Sequence, residues 1–279
     1  MTTLPTTAGP IGIFDSGYGG LTVLTSIRRL LPRYDYLYLG DNARAPYGTR
    51  SFDVVYEYTR QAVMCLFRRG CHLVILACNT ASAKALRSIQ QKDLPAADPQ
   101  RRVLGVIRPT AEAIGALTTT RHVGILATEG TIRSESYDIE IHKFFPDITV
   151  CGVACPLWVP LVEHNECGSP GTDYFVRKSV DQLMTADSAI DAVILGCTHY
   201  PLLIPVINRH IPRDVRVIAQ GHYVAESLKD YLRRHPEMEK KCTRGGNVRF
   251  LTTESPDTFR VSAKIFLNEN IEAENICLS

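Results

Sequence analysis

The sequence lacks any apolar run long enough to cross a membrane, which excludes a membrane-spanning protein. A transmembrane helix needs about 18 consecutive apolar residues, and no stretch among the 279 residues approaches that length. Residues 1–10 also lack a basic segment followed by an apolar one, so we expect a short disordered lead rather than a secretory signal. These absences predict a cytoplasmic protein without a membrane partner.

A marked excess of charge is missing too, and this argues against a nucleic-acid-binding protein. The chain has 31 basic and 29 acidic side chains, with a formal net charge of +2. Short basic pairs such as Arg28–Arg29 and Arg233–Arg234 are scattered, and no aromatic ladder flanks them. We interpret them as solvated helix ends and loops, and expect no nucleic-acid partner.

Motifs for disulfides, metals and dinucleotides are also absent. The nine cysteines are an odd number and form no C-x-x-C pair, which favours free thiols in a reducing cytosol and argues against a thiol redox protein. Cys151 and Cys155 have no second pair at a zinc-ligand distance, so we expect no metal. Gly17, Gly19 and Gly20 lack the G-x-G-x-x-G spacing and give a dinucleotide site little support.

Short apolar strands alternate with helical patterns along the chain. Continuous apolar strands separated by helices indicate a parallel sheet covered on both faces. The pattern begins at residue 11 and restarts after residue 108, which predicts an α/β fold with two doubly wound units of similar rhythm. Strands are predicted at residues 11–14, 34–39, 73–77, 103–107, 123–126, 149–154, 192–195, 215–219 and 247–252.

Small and polar residues follow several of these strands. In an open parallel sheet, ligands bind at the carboxyl ends of the strands, so two units that face each other would form one cleft from these segments. The segments are Asp15–Gly17, Asp41 with Pro46–Gly48, Cys78–Thr80, Thr128–Thr131 and Cys197–His199.

Cys78 and Cys197 are the candidate acid/base residues, because each follows an apolar strand in a matching context. A helix N-terminus favours a thiolate, and Cys78 precedes a predicted helix. Two thiols on opposite sides of an amino acid could remove the α-proton from one face and deliver a proton to the other. The alternative is that each cysteine is a small buried apolar residue. We prefer that alternative for Cys65, Cys71, Cys167, Cys242 and Cys277.

Asp15 and His199 suit supporting roles. A carboxylate near Cys78 and a histidine near Cys197 could each orient or accept a proton. Asp15 could instead form an Asx-turn or a helix N-cap in the loop that follows it. Four further residues offer hydroxyl, amide and backbone N–H groups that could bind carboxylates. They are Ser16, Asn79, Thr80 and Thr198.

Several segments resemble the signature segments of the bacterial glutamate racemase family. The two cysteine motifs are strongly specific when they occur together, and the match runs in order from about residue 11 to residue 267. The matching segments are residues 11–24, 41–48, 77–82, 154–163 and 196–203.

The resemblance implies interconversion of L- and D-glutamate without pyridoxal phosphate, metal or other cofactor, and supply of D-glutamate for peptidoglycan. Family members are often homodimers. Glutamate is the implied small-molecule partner, and Cys78 and Cys197 are the implied catalytic pair. By motif, the substrate-holding positions are Asp15, Ser16, Tyr47, Gly48, Asn79, Thr80, Thr198 and His199.

The resemblance also implies two doubly wound parallel-sheet domains that face each other across a central cleft. The first domain would comprise residues 1–108 and 221–279, and the second residues 109–220. Two departures stand out. Ala219–Gln220 lies where the family often has an acidic residue, and Tyr18 lies where it often has a small or aliphatic one.

Two other functions stay open from the sequence. A racemase of aspartate or another amino acid would share the two thiols, although His199 after Cys197-Thr favours glutamate over relatives with an acidic residue there. A non-catalytic amino-acid-binding protein would need the cleft but not both thiols.

Overall fold

A computed structural model describes residues 4–278 as two parallel β-sheets flanked by helices. The strands are β1 (Ile11–Asp15), β2 (Tyr36–Gly40), β3 (Leu73–Leu76), β4 (Arg102–Gly105), β5 (His122–Ala127), β6 (Thr149–Ala154), β7 (Ala192–Gly196), β8 (Arg216–Ile218), β9 (Val248–Thr252) and β10 (Ala273–Asn275). The helices are α1 (Gly20–Leu30), α2 (Phe52–Arg68), α3 (Asn79–Lys84), α4 (Leu86–Ser88), α5 (Leu94–Ala97), α6 (Ile107–Ala113), α7 (Glu129–Arg133), α8 (Ser136–Phe144), α9 (Trp158–Glu163), α10 (Pro170–Ala186), α11 (Ile204–His210), α12 (Gly221–Arg234), α13 (Pro236–Glu239) and α14 (Pro256–Leu267).

The first unit is a six-stranded parallel sheet in the order β10-β9-β2-β1-β3-β4. Strands β1, β2 and β3 are buried along their whole length, as their uninterrupted apolar sequences predict. Helix α1 buries Leu21, Leu24 and Ile27, which share one face at a helical spacing, and it packs against α12. Helix α2 ends before Gly70, whose φ of +93° suits glycine.

The second unit is a four-stranded parallel sheet in the order β6-β5-β7-β8. Its central strands β5 and β7 lie in a core that includes Trp158 and Tyr200, whose ring centroids are 4.8 Å apart. The predicted α/β fold of two similar parallel-sheet units is therefore confirmed. Among residues 4–278, no helix combines the length and the apolarity needed to span a membrane.

The C-terminal segment returns to the first sheet, because β9 pairs with β2 and β10 pairs with β9. This pairing agrees with a first domain that resumes near residue 221, although the boundaries 1–108 with 221–279 and 109–220 stay a prediction. Strand β10 escaped prediction because Ala273–Asn275 is short and contains no apolar run.

The prediction of a disordered lead is wrong for residues 4–10. Gly9 exchanges backbone hydrogen bonds with Lys241 and Thr243, and the carbonyl of Pro5 accepts a hydrogen bond from the buried Arg101 guanidinium. Residues 1–3 lie outside the described residues. Ordinary long-range hydrogen bonds therefore hold a segment whose own composition gave no sign of them.

Candidate active site

A cavity of about 430 Å³ lies where the rims of the two units meet. Its walls follow from the fold, because the segments after β1, β2, β3, β5 and β7 all reach it. The structure brings nine of the ten predicted site residues to this cavity: Ser16, Tyr47, Gly48, Cys78, Asn79, Thr80, Cys197, Thr198 and His199.

Cys78 caps the N-terminus of α3 on the first side of the cavity. Its Sγ accepts a hydrogen bond from Ala81 N at 3.4 Å and lies 3.3 Å from Ser16 Oγ. The expected stabilisation of the thiolate does not prevail, because burial and the charge of Asp15 raise the pKa of Cys78 to about 11. The predicted cap is present and its hydrogen bond lowers the pKa of Cys78, but desolvation has the larger effect.

Cys197 lines the cavity from the second unit, directly after β7, and burial raises the pKa of its thiol well above the ordinary value. Its Sγ is 3.8 Å from His199 Nδ1, and His199 Nε2 is 2.9 Å from Glu163 Oε1. Cys78 and Cys197 line the same cavity, one from each unit. The Cys197 sulfur, the His199 imidazole and the Glu163 carboxylate thus form a chain of consecutive contacts, which we call the row of Cys197, His199 and Glu163.

Glu163 is a residue that sequence reasoning missed. It ends the short helix α9, which begins at Trp158, and it lines the cavity. The segment 154–163 was matched to the family without a role for this carboxylate. The sequence around Glu163 gives no signal of this contact, because Glu163 and His199 are far apart in the sequence. They meet only because α9 packs near Tyr200.

Asp15 does not line the cavity, so direct contact with substrate is not supported for it. Its Oδ2 accepts a hydrogen bond from Gly17 N at 2.9 Å, which is the Asx-turn considered as the alternative. Its Oδ1 has no hydrogen-bond partner among residues 4–278, and burial raises its pKa. A negative charge on Asp15 raises the pKa of Cys78, so this carboxylate lies near the thiol without lining the cavity.

Tyr47 and Gly48 are fixed by contacts on two sides. The hydroxyl of Tyr47 donates to Asp41, whose other oxygen accepts from Thr253 Oγ1 at 2.9 Å. Burial raises the pKa of Tyr47, so its hydroxyl stays neutral. The carbonyl of Gly48 accepts a hydrogen bond from Gly130 N of the second unit at 2.9 Å.

Three threonine hydroxyls from both units form a cluster at the rims. Thr80 Oγ1 lies 3.0 Å from Thr128 Oγ1 and 3.4 Å from Thr131 Oγ1, and the last two are 3.1 Å apart. Thr80 was predicted as a site residue; Thr128 and Thr131 were placed at the rim without a role. Thr80 and Thr128 line the cavity, and each has one hydroxyl proton that it can donate to a carboxylate.

Gln220, which stands where the family often has an acidic residue, belongs to a buried polar network. Asn79 Nδ2 donates to Gln220 Oε1 at 2.7 Å, and Tyr137 donates to Asn79 Oδ1 at 2.7 Å. Gln220 Nε2 donates to the carbonyl of Val106 at 3.2 Å and to the hydroxyl of Tyr137. Gln220 therefore orients Asn79 while linking the two places where the chain passes between the units.

The departure at Tyr18 adds an aromatic contact at the cavity wall. Tyr18 stacks on Phe266 of α14, with ring centroids 6.2 Å apart and planes 17° apart. The ring of Phe266 in turn lies perpendicular to that of His199, with 5.3 Å between the centroids. The C-terminal helix thus packs directly against the histidine of the site.

The cavity combines two thiols, one from each unit, with neutral hydrogen-bond donors. Within the described chain, no lysine or arginine lines it, so any carboxylate it takes is bound by hydroxyls, amides and backbone N–H groups. Residues 4–278 also contain no group of three His, Cys, Asp or Glu side chains placed to hold a metal. The residues that line the cavity thus include groups that can hydrogen-bond a small anion and two thiols that can exchange protons.

Comparison with known proteins gives a consistent result. The model of the Asp/Glu/Hydantoin racemase family matches residues 11–228. A glutamate racemase from Ruegeria pomeroyi is 41% identical, over 94% of this chain and 97% of that protein. The solved structure of a glutamate racemase isoform from Bacillus anthracis matches with a TM-score of 0.88 and 33% identity, over 97% of this chain and 98% of the other. That of the Francisella tularensis glutamate racemase in complex with D-glutamate has a TM-score of 0.85 and 31% identity, with the same coverage.

Proposed function

The chain belongs to the Asp/Glu/Hydantoin racemase family and is a glutamate racemase, and we propose that Cys78 and Cys197 carry the α-proton of glutamate between the two faces of Cα. The observation that carries this proposal is that both thiols line one cavity, Cys78 from the first unit and Cys197 from the second. An amino-acid-binding protein would not need this pairing.

In the proposed reaction, the thiolate of one cysteine takes the proton from Cα, and the electron pair of the C–H bond moves into the α-carboxylate. The thiol of the other cysteine then gives its proton to the opposite face of Cα. The first sulfur ends protonated and the second ends as a thiolate, so the reverse reaction restores the starting state. Hydrogen-bond donors such as the threonine cluster suit the charge that develops on the carboxylate.

Each thiol has its own supporting groups in this proposal. Glu163 orients His199, which lies next to Cys197 and can accept or return its proton. On the other side, Ser16 and the charge of Asp15 act on Cys78. The two thiols supply acid and base themselves, and we propose that the reaction needs neither metal nor pyridoxal phosphate.

The substrate assignment predicts a simple assay. We expect the circular dichroism of L-glutamate to decay to zero in the presence of the protein and EDTA with no cofactor added, because racemisation ends at an equal mixture of enantiomers. L-Aspartate and L-alanine are expected to keep their signal on the same timescale. Faster racemisation of L-aspartate than of L-glutamate would contradict the assignment.

The raised thiol pKa values predict a pH dependence. Burial raises the pKa of Cys78 to about 11 and that of Cys197 well above its ordinary value, so both are protonated in the free enzyme near neutral pH. Because the reaction needs one thiolate, kcat/KM should rise with pH, by up to about tenfold per pH unit. The ammonium group of bound glutamate lowers the thiol pKa, so kcat should rise less steeply. Rates measured from about pH 6 to 9 test this, and a flat kcat/KM would contradict it.

We further propose that the protein supplies D-glutamate for peptidoglycan in the cytoplasm, as a homodimer without nucleic-acid or membrane partners. The single chain exposes several large apolar side chains, which are available for a contact between two copies. Leu157 and Val261 are among them. Sedimentation velocity tests the dimer, and a purely monomeric protein at working concentration would contradict it.

A further inference from the structure

A second cavity of about 430 Å³ lies beside the active-site cavity, and both units contribute to it. The two cavities share three wall residues, which are Gly48, Thr49 and Glu129. Residues 48–52 and Lys84 line it from the first unit, and residues 129, 130, 133 and 134 line it from the second. Nothing in the proton-transfer chemistry uses this second space.

Lys84 is the most unusual group in the second cavity. It ends helix α3, which Cys78 caps, and it is only 8% exposed. Its ammonium donates to the carbonyl of Arg50 at 2.6 Å and makes no ion pair among residues 4–278. Because an ammonium has three donors, two remain for another acceptor. Burying a cation is unfavourable, and burial lowers the pKa of Lys84.

The charge of Glu129 raises the pKa of Lys84 and so offsets its charge in part, but the cations that line this cavity outnumber this carboxylate. Arg50 and Arg133 add two further cations, and Glu129 supplies the single carboxylate among the residues that line it. Glu129 also forms an ion pair with Arg133, with 3.4 Å between Glu129 Oε1 and Arg133 Nη1. The charge of Arg133 contributes to lowering the pKa of Lys84, which places these two cations from different units near each other.

Gly130 brings the two units close enough for this arrangement. A Cβ at this position would lie 2.5 Å from the carbonyl oxygen of Gly48 and 2.9 Å from Lys84 Nζ. The absence of a side chain therefore lets Gly130 N donate to Gly48 while the ammonium of Lys84 reaches the seam between the units.

We propose that the second cavity binds a phosphate-like anion, held by Lys84 and Arg50 of the first unit and Arg133 of the second. A tetrahedral dianion has enough oxygen acceptors for the free ammonium donors and for the guanidinium groups, and charge-assisted hydrogen bonds of this kind are strong. The anion would neutralise the excess positive charge. The bound anion would also hold Gly48, Thr49 and Glu129, which line both cavities, in position. Its binding would therefore be coupled to the shape of the active-site cavity.

Isothermal titration of the full chain with inorganic phosphate, at constant ionic strength, tests the proposal. We expect saturable binding of one phosphate per chain. Lys84→Met and Arg133→Gln should each weaken it about tenfold or more, because each removes one charge-assisted partner. Lys229→Gln is the matched control, since Lys229 is an exposed lysine on α12, outside both cavities. It should bind phosphate as the unsubstituted chain does.

Two further measurements separate this site from the active site. Saturating D-glutamate should leave phosphate binding measurable, and phosphate should change the KM for glutamate in the unsubstituted chain but not in Arg133→Gln. The side chain of Arg133 is 78% exposed, so this variant is expected to fold even if Lys84→Met does not. Absence of saturable binding, equal affinity in Arg133→Gln, or simple competition between phosphate and glutamate would each overturn the proposal.

Discussion

Replacing either Cys78 or Cys197 with serine is expected to slow racemisation of glutamate by about 10³-fold or more, since positioned acid/base groups contribute 10²–10⁴-fold. A serine hydroxyl is a far weaker acid than a thiol, so it cannot supply the thiolate that starts the reaction. Each enantiomer presents its α-hydrogen to one sulfur, so both cysteines are needed for a complete turnover in either direction. Rates followed by circular dichroism in both directions measure the loss.

The same variants should differ in exchange of the α-hydrogen with deuterated water. A variant that keeps one thiol can still remove and return the hydrogen on that face. Each variant should therefore exchange the α-hydrogen of at most one enantiomer, and Cys78→Ser and Cys197→Ser should act on opposite enantiomers. Nuclear magnetic resonance of the hydrogen on Cα measures this exchange. Exchange of both enantiomers by one variant would contradict the assignment of one sulfur to each face.

Cys65 provides a matched control for these substitutions. It is 7% exposed, close to the 6% of Cys78 and Cys197, but it lies on α2 outside the cavity. Cys65→Ser buries the same hydroxyl without touching the site, and racemisation should stay within a few-fold of the unsubstituted rate. Near-complete retention of activity in Cys78→Ser or Cys197→Ser would refute the two-thiol mechanism.

Removing the imidazole of His199 should have the second-largest effect, about a 10²-fold loss of kcat for His199→Asn. The imidazole lies beside Cys197 and is held by Glu163, so its loss disturbs the ionisation of that thiol. Glu163→Gln keeps the shape of the side chain but removes its charge, and a smaller loss of about tenfold is expected. Rates in both directions for the two single variants and the double variant give the coupling between them.

A double-variant loss well below the product of the single losses is the expected result, because Glu163 acts through His199. The His210–Asp173 pair is a matched control, since its nitrogen–oxygen distance is also 2.9 Å and neither residue lines the cavity. Asp173→Asn should leave kcat nearly unchanged. Independent, multiplicative effects of Glu163→Gln and His199→Asn would contradict a single row of Cys197, His199 and Glu163.

The sequence by itself determined the kind of fold and most of the cavity wall. Apolar strands separated by helical patterns report local burial, so β1, β3, β5 and β7 could be predicted from their own residues. Parallel strands direct their carboxyl ends to one edge, and this general rule placed Cys78 and Cys197 at rims that the structure brings together.

Only the tertiary structure decided which distant groups act on those thiols. Glu163 meets His199, and Gln220 meets Asn79, through packing of elements whose local sequences carry no sign of each other. The structure also placed Asp15 behind the cavity wall rather than in it. The thiol pKa values were likewise set by the completed cavity: the helix cap at Cys78 is local, but desolvation depends on everything packed around the sulfur.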